Sequence, residues 1–70
     1  MGGGVDLGLL RTFLAVFRAG SLSGAAPILG LSQPTITAQI RALEQAMDKK
    51  LFERLPRGVA PTSVAAELAR

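Results

Sequence analysis

Apolar residues recur at helical spacing in several stretches of this chain. Leu10, Phe13, Leu14 and Phe17 stand at i, i+3, i+4 and i+7, which predicts a helix from about Leu7 to Ala19. Asp6 precedes it as an N-cap and Gly20 follows as a left-handed stop. Leu22, Ala25, Ala26 and Leu29 share the inner face of a second, short helix, with Ser21 and Ser23 as alternative caps and Gly30 at its end. Pro27 falls inside that segment and removes a backbone donor, so a distorted or shortened helix is expected. In a third helix, from Gln33 to about Ala46 or Met47, the residues Ile40, Leu43 and Met47 lie within about 40° of Ile36 on a 3.6-residue wheel. Ser32 caps it, and Pro34 is tolerated in a first turn whose N–H groups lack intrahelical partners.

Beyond Met47 the period changes. Residues 50–54 read as a short strand with Leu51 inward, and Leu55-Pro56-Arg57-Gly58 suits a type I turn with Pro at i+1 and Gly at i+3. Val59 to Pro61 can return as a second strand. Thr62 then caps a last helix in which Val64 and Leu68 share a face. A glycine-containing turn of three or four residues between the second and third helices is the helix-turn-helix plan. The fold class is therefore mainly α: three helices, the second and third forming a helix-turn-helix, then a two-stranded hairpin and the start of a last helix. Residues 1–5, with three consecutive glycines, are expected to be a flexible lead; 6–61 form the domain and 62–70 open the last helix.

The outward side of the third helix carries Pro34, Ala38, Arg41 and Gln45, with Thr35 and Thr37 near its start. Short polar groups at a helix tip, followed by an arginine one turn on, suit end-first insertion into a DNA major groove. An ordinary surface helix fits the segment alone equally well.

Composition narrows the choice. Seventy residues allow one small domain, and 49% hydrophobic against 19% charged residues argues for a folded core. With Phe13, Phe17 and Phe52 the only aromatics, the core should be aliphatic, and no stacking platform for single-stranded nucleic acid is available. Cysteine and histidine are absent, which removes disulfides, thiolate chemistry, the usual zinc sites and a histidine pH switch. No cofactor or metal is expected, and no enzyme: there is neither a carboxylate pair in an evident cleft nor a phosphate-binding glycine loop. No apolar run reaches the ~18 residues of a membrane span, so a cytoplasmic protein without membrane contact is the default. Net charge is +3, and Arg41, Lys49, Lys50, Arg54 and Arg57 outnumber Glu44, Asp48 and Glu53 between residues 41 and 58. That local excess suits a polyanion.

Taken in order, Leu10-x-x-Phe13, Gly20-Ser21-Leu22, Ala25-Ala26, Leu29, Leu31-Ser32-Gln33-Pro34, Gln39-Ile40, Leu43-Glu44, Leu51-Phe52-x-Arg54, Arg57-Gly58 and Pro61-Thr62 form a specific pattern. The chain resembles, from about Asp6 to Ala66, the N-terminal DNA-binding domain of LysR-type transcriptional regulators, a winged helix-turn-helix family; the resemblance implies a mainly α fold with a three-helix core, a two-stranded wing in the hairpin and the start of a linker helix in the last helix. The resemblance implies sequence-specific binding of double-stranded DNA. It assigns contacts to Ser32, Gln33, Pro34, Thr35, Thr37, Ala38 and Arg41 on the third helix, and to Arg54 and Arg57 on the wing. It further implies a homodimer through the linker helix, a higher oligomer in the full-length protein, and a small-molecule effector bound only by a C-terminal domain outside these residues. Two departures stand out: Ala38 replaces an often basic or polar residue, and Pro27 interrupts a usually regular helix.

Chemistry agrees with these assignments. Gln33 pairs a donor with an acceptor, as adenine N6 and N7 require, and the Pro34 ring and the threonine methyls can touch thymine methyls. Arg41, one turn deeper, suits a phosphate, as does the positive end of the helix dipole. Ser32 is an N-cap first. Arg54 can meet either a phosphate or a carboxylate such as Glu53. A small protein-interaction module with a solvated basic face is the competing function; a salt titration separates the two.

Overall fold

The computed structural model describes residues 6–70, so the expected N-terminal lead lies outside the described residues. Helix α1 spans Leu7–Ala19, α2 Leu22–Leu29 and α3 Gln33–Met47; β1 (Phe52–Arg54) and β2 (Val59–Pro61) follow, and α4 covers Ser63–Leu68. The sheet is a two-stranded antiparallel hairpin with Phe52 opposite Pro61, Glu53 opposite Ala60 and Arg54 opposite Val59. This is the winged helix-turn-helix arrangement.

Local signals set the helix ends. Asp6 accepts from Gly8 N–H at 2.7 Å, Ser21 from Gly24 N–H at 3.0 Å and Ser32 from Thr35 N–H at 3.3 Å. Gly20 and Gly30 close α1 and α2 in the left-handed region. Ser21, not Ser23, is the cap of α2. That choice places Pro27 in the sixth helical position, and the helix runs on through it to Leu29. Asp48 ends α3 at φ 55, a conformation usually left to glycine or asparagine.

The three helices pack against one another around Phe13, Val16, Ala25, Ile36, Ile40 and Leu43. The α1 face differs from the expected stripe: Phe13, Val16 and Thr12 are its buried residues, while Leu10, Leu14 and Phe17 flank the core half-buried. The core is aliphatic apart from its centre. Phe13 lies 5.8 Å from Phe17 and 5.6 Å from Phe52, ring centre to ring centre, so one phenylalanine joins α1 to the wing.

Residues 50–51 precede β1 instead of belonging to it. Leu51 is fully buried, but its N–H donates to Glu44 Oε2 at 2.8 Å and its carbonyl accepts from Thr62 N–H at 2.9 Å. The Thr62 hydroxyl donates to the Lys50 carbonyl at 2.7 Å while capping Ala65 N–H of α4. Both backbone groups of Leu51 are thus used outside the hairpin ladder, which shortens the strand from its expected start at Lys50.

Candidate nucleic-acid interface

Helix α3 turns Ile36, Ile40 and Leu43 into the core and leaves its other side open. Ser32, Gln33, Pro34, Thr35, Ala38 and Arg41 are exposed there and Thr37 is half-buried. Gln33, Pro34, Thr37, Ala38, Arg41 and Arg54 line one open groove of about 920 Å³, completed by Leu22, Ala42 and Gln45. Ser32 and Thr35 sit at the tip of α3, where the Ser32 hydroxyl also donates to Thr35 Oγ1 at 2.9 Å. Arg57 is exposed at the hairpin tip.

Arg54 reaches back from β1 toward α3, its guanidinium donating to Thr37 Oγ1 at 3.5 Å. It therefore meets a hydroxyl of α3 in place of the carboxylate considered from sequence, and stays on the groove wall. The Leu55–Gly58 loop is closed by Leu55 N–H donating to the Gly58 carbonyl at 3.2 Å, the reverse of the type I turn bond expected. Gly58 has φ 77, and a Cβ on it would stand 2.8 Å from the Gly20 carbonyl oxygen. The neighbouring Val59 N–H donates to that oxygen at 3.3 Å. The wing is thus pinned to the α1–α2 corner, and Gly58 is required by this close approach as well as by its backbone angle.

Two residues that sequence reasoning left unassigned hold the interface elements in place. Glu44 accepts from Leu51 and Phe52 N–H, at 2.8 and 3.3 Å, and so ties the start of the wing to α3. The buried Thr12 hydroxyl donates to Gln39 Oε1, fixing α3 against α1. Gln45 shares the outward side of α3 with Pro34, Ala38 and Arg41; that register was the signal for including it. Among the described residues, no group of three or more His, Cys, Asp or Glu side chains could hold a metal ion, and no helix is long and apolar enough to cross a membrane.

The family described as bacterial regulatory helix-turn-helix proteins, lysR family, matches residues 7–66, from the first helix into the last. The chain belongs to the LysR family. It is 57% identical over 65 residues to the HTH-type transcriptional regulator AbaB of Streptomyces antibioticus, covering 93% of this chain and 22% of that protein. It is 48% identical over 55 residues to the transcriptional activator protein NhaR of Escherichia coli K12, covering 79% of this chain and 18% of that one. The LysR-family chain thus spans about a fifth of the length of these curated relatives, which are transcriptional regulators and not enzymes. The crystal structure of the LysR-family regulator CbnR superposes with a TM-score of 0.88 at 37% identity, covering 93% of this chain and 22% of CbnR. The crystal structure of a complex of the CbnR DNA-binding domain with DNA gives 0.89 at the same identity, covering 93% of this chain and 75% of that one.

Proposed function

We propose that this chain is the DNA-binding domain of a LysR-type transcriptional regulator and binds double-stranded DNA in a sequence-specific manner. The observation that carries the reading is the convergence of the polar outward row of α3 and Arg54 of the wing on one open groove. In this reading α3 enters the major groove tip first. Gln33 hydrogen-bonds a base edge, and Pro34, Thr35 and Thr37 meet thymine methyls or sugar. Ala38 offers only a methyl, so its contribution is close approach. Ser32, engaged as a cap, directs the α3 amides at a phosphate. Arg41 takes a phosphate deeper in the groove, and Arg54 and Arg57 follow the neighbouring strand or minor groove.

The coupling between wing and helix supports this division of labour. A hairpin pinned through Glu44, Gly20 and Thr62 presents its arginines at a fixed distance from α3. Preorganised charge gains more on binding than charge on a loose loop. The whole regulator would be cytoplasmic and would pair through a linker helix that α4 begins, as a homodimer or higher oligomer. Its small-molecule effector would bind a C-terminal domain outside these residues.

The test is selection of bound sequences from a random duplex library, followed by titration of the selected and a scrambled duplex at several salt concentrations. A selected motif and a linear fall of log K with log salt are expected. Equal binding to both duplexes would reject sequence-specific reading.

A further inference from the structure

A second groove lies between α1 and α2 and shares no lining residue with the groove beside α3. It encloses about 620 Å³ and is lined by Leu7, Leu10, Leu14 and Ala15 of α1 and by Ile28 and Leu29 of α2, with Arg11 and Arg18 beside them. Leu7 is 79% exposed and Ile28 67%, the two most exposed large apolar side chains described. Large apolar groups held in water beside a concave apolar wall mark a contact surface more often than chance decoration. Leu7, Leu10 and Leu14 form an i, i+3, i+7 row, so the groove follows a helix axis and matches the apolar edge of another helix.

Charge selects among occupants. Arg11 and Arg18 are both exposed, one on each side of Leu14 along α1, and no Asp or Glu lines the groove. The neighbouring Asp6 carboxylate is engaged as the α1 cap. Two copies meeting face to face through this surface would bring four arginines together with only the capping Asp6 carboxylate of each copy nearby. A nucleic acid would gain nothing from the leucine and isoleucine lining. We propose that the α1–α2 groove docks an acidic amphipathic helix of a partner protein, its apolar edge seated between Leu10, Leu14 and Ile28 and its carboxylates meeting Arg11 and Arg18. Because the lining residues are distinct from those of the α3 groove, docking leaves that groove open, so the surface serves a protein that acts beside bound DNA.

The experiment uses the seventy-residue chain, isotope-labelled, titrated with three synthetic helical peptides of one length: Leu/Glu amphipathic, Leu/Lys amphipathic, and Ser/Glu with no apolar edge. The Leu/Glu peptide is expected to shift resonances of Leu7, Leu10, Leu14 and Ile28 and to bind roughly five- to tenfold more tightly than the Leu/Lys peptide, the scale of two partly screened charge pairs. Arg11→Glu with Arg18→Glu should reverse that preference. Ile28→Ser, at a site too exposed to threaten folding, should abolish the shifts while the spectrum stays dispersed. The proposal is overturned if the two amphipathic peptides bind alike, if Ser/Glu binds as well as Leu/Glu, or if the shifts gather on α3 and the wing. It is overturned too if dilution alone moves the groove resonances, which would give this face to a second copy of the chain.

Discussion

At the residue scale, Gln33 and Arg41 stand on the same exposed side of α3 but face different chemistry. Gln33 at the tip offers a paired donor and acceptor, whereas Arg41, one turn beyond Thr37, offers charge. Gln33→Ala should therefore lose about 1–3 kcal/mol of discrimination at one base pair, and Arg41→Ala should weaken all sequences alike. Competition binding with single-base operator variants measures both effects; parent-like behaviour of both variants would rule out α3 as the reading helix. The wing makes a sharper contrast between adjacent residues. Arg57 is exposed and Gly58 is wedged against the Gly20 carbonyl. Arg57→Ala should leave melting unchanged while the slope of log K against log salt becomes shallower by about one unit. Gly58→Ala should instead destabilise by at least about 1–2 kcal/mol, the penalty of a left-handed residue carrying a Cβ. A melting curve and a salt series on each variant separate the two roles; a thermally silent Gly58→Ala would mean the corner can relax.

At the element scale, the wing is held by contacts outside its own ladder. A hairpin of two three-residue strands is marginal in water by itself. Its supports are the Phe52 ring on Phe13, the Val59 amide on Gly20, and the Glu44 carboxylate on two amides. Glu44→Ala leaves the Leu51 and Phe52 N–H groups without that partner and should cost about 1–3 kcal/mol. For a domain of this size each kcal/mol corresponds to about 4–8 °C in Tm. DNA affinity should fall further than the lost stability explains, because the wing arginines lose their fixed position. Affinity measured well below the melting transition checks this; parent-like affinity in a destabilised Glu44→Ala would show that the wing binds without being held.

For the whole molecule, association turns on how much of α4 is free to pair. Helix α4 is only six residues long, with Ala65 fully buried and Val64 and Leu68 packed half-buried against the domain's own core. The face expected to form a pairing seam is therefore partly committed within the monomer, and α4 has little apolar surface left to join two copies. Such a short helix gains its stability from packing, not from its own turns. The seventy-residue chain should sediment as a monomer or weak dimer at micromolar concentration and pair mainly on DNA, where two half-sites raise the effective concentration. Extension by about two heptads should strengthen pairing and affinity for a two-fold site. A tight dimer of the seventy residues would place the interface elsewhere.

Helix existence, most helix ends and the outward row of α3 follow from sequence because each depends on groups within about one turn; the choice of Ser21 over Ser23 as the α2 cap and the left-handed Asp48 that ends α3 came only with the structure. Asp6, Ser21 and Ser32 cap amides two or three residues on, glycine at 20 and 30 takes the left-handed step, and the spacing of Ile36, Ile40 and Leu43 fixes which side of α3 faces out. That Ser32, Gln33, Pro34, Thr35, Ala38 and Arg41 stand exposed on α3 was legible from the same periodicity. Tertiary structure decided the rest. Which face of α1 is most buried depended on where α3 and Phe52 lie, so Thr12 and Val16 replaced part of the expected stripe. The start of β1 was set by Glu44 and Thr62, seven and eleven residues from Leu51, and the register of the wing against the helices by a glycine meeting the Gly20 carbonyl. The partner of Arg54 turned out to be a hydroxyl seventeen residues away on α3. A one-dimensional pattern records period and cap chemistry, but contacts made between separate elements exist only once those elements are packed.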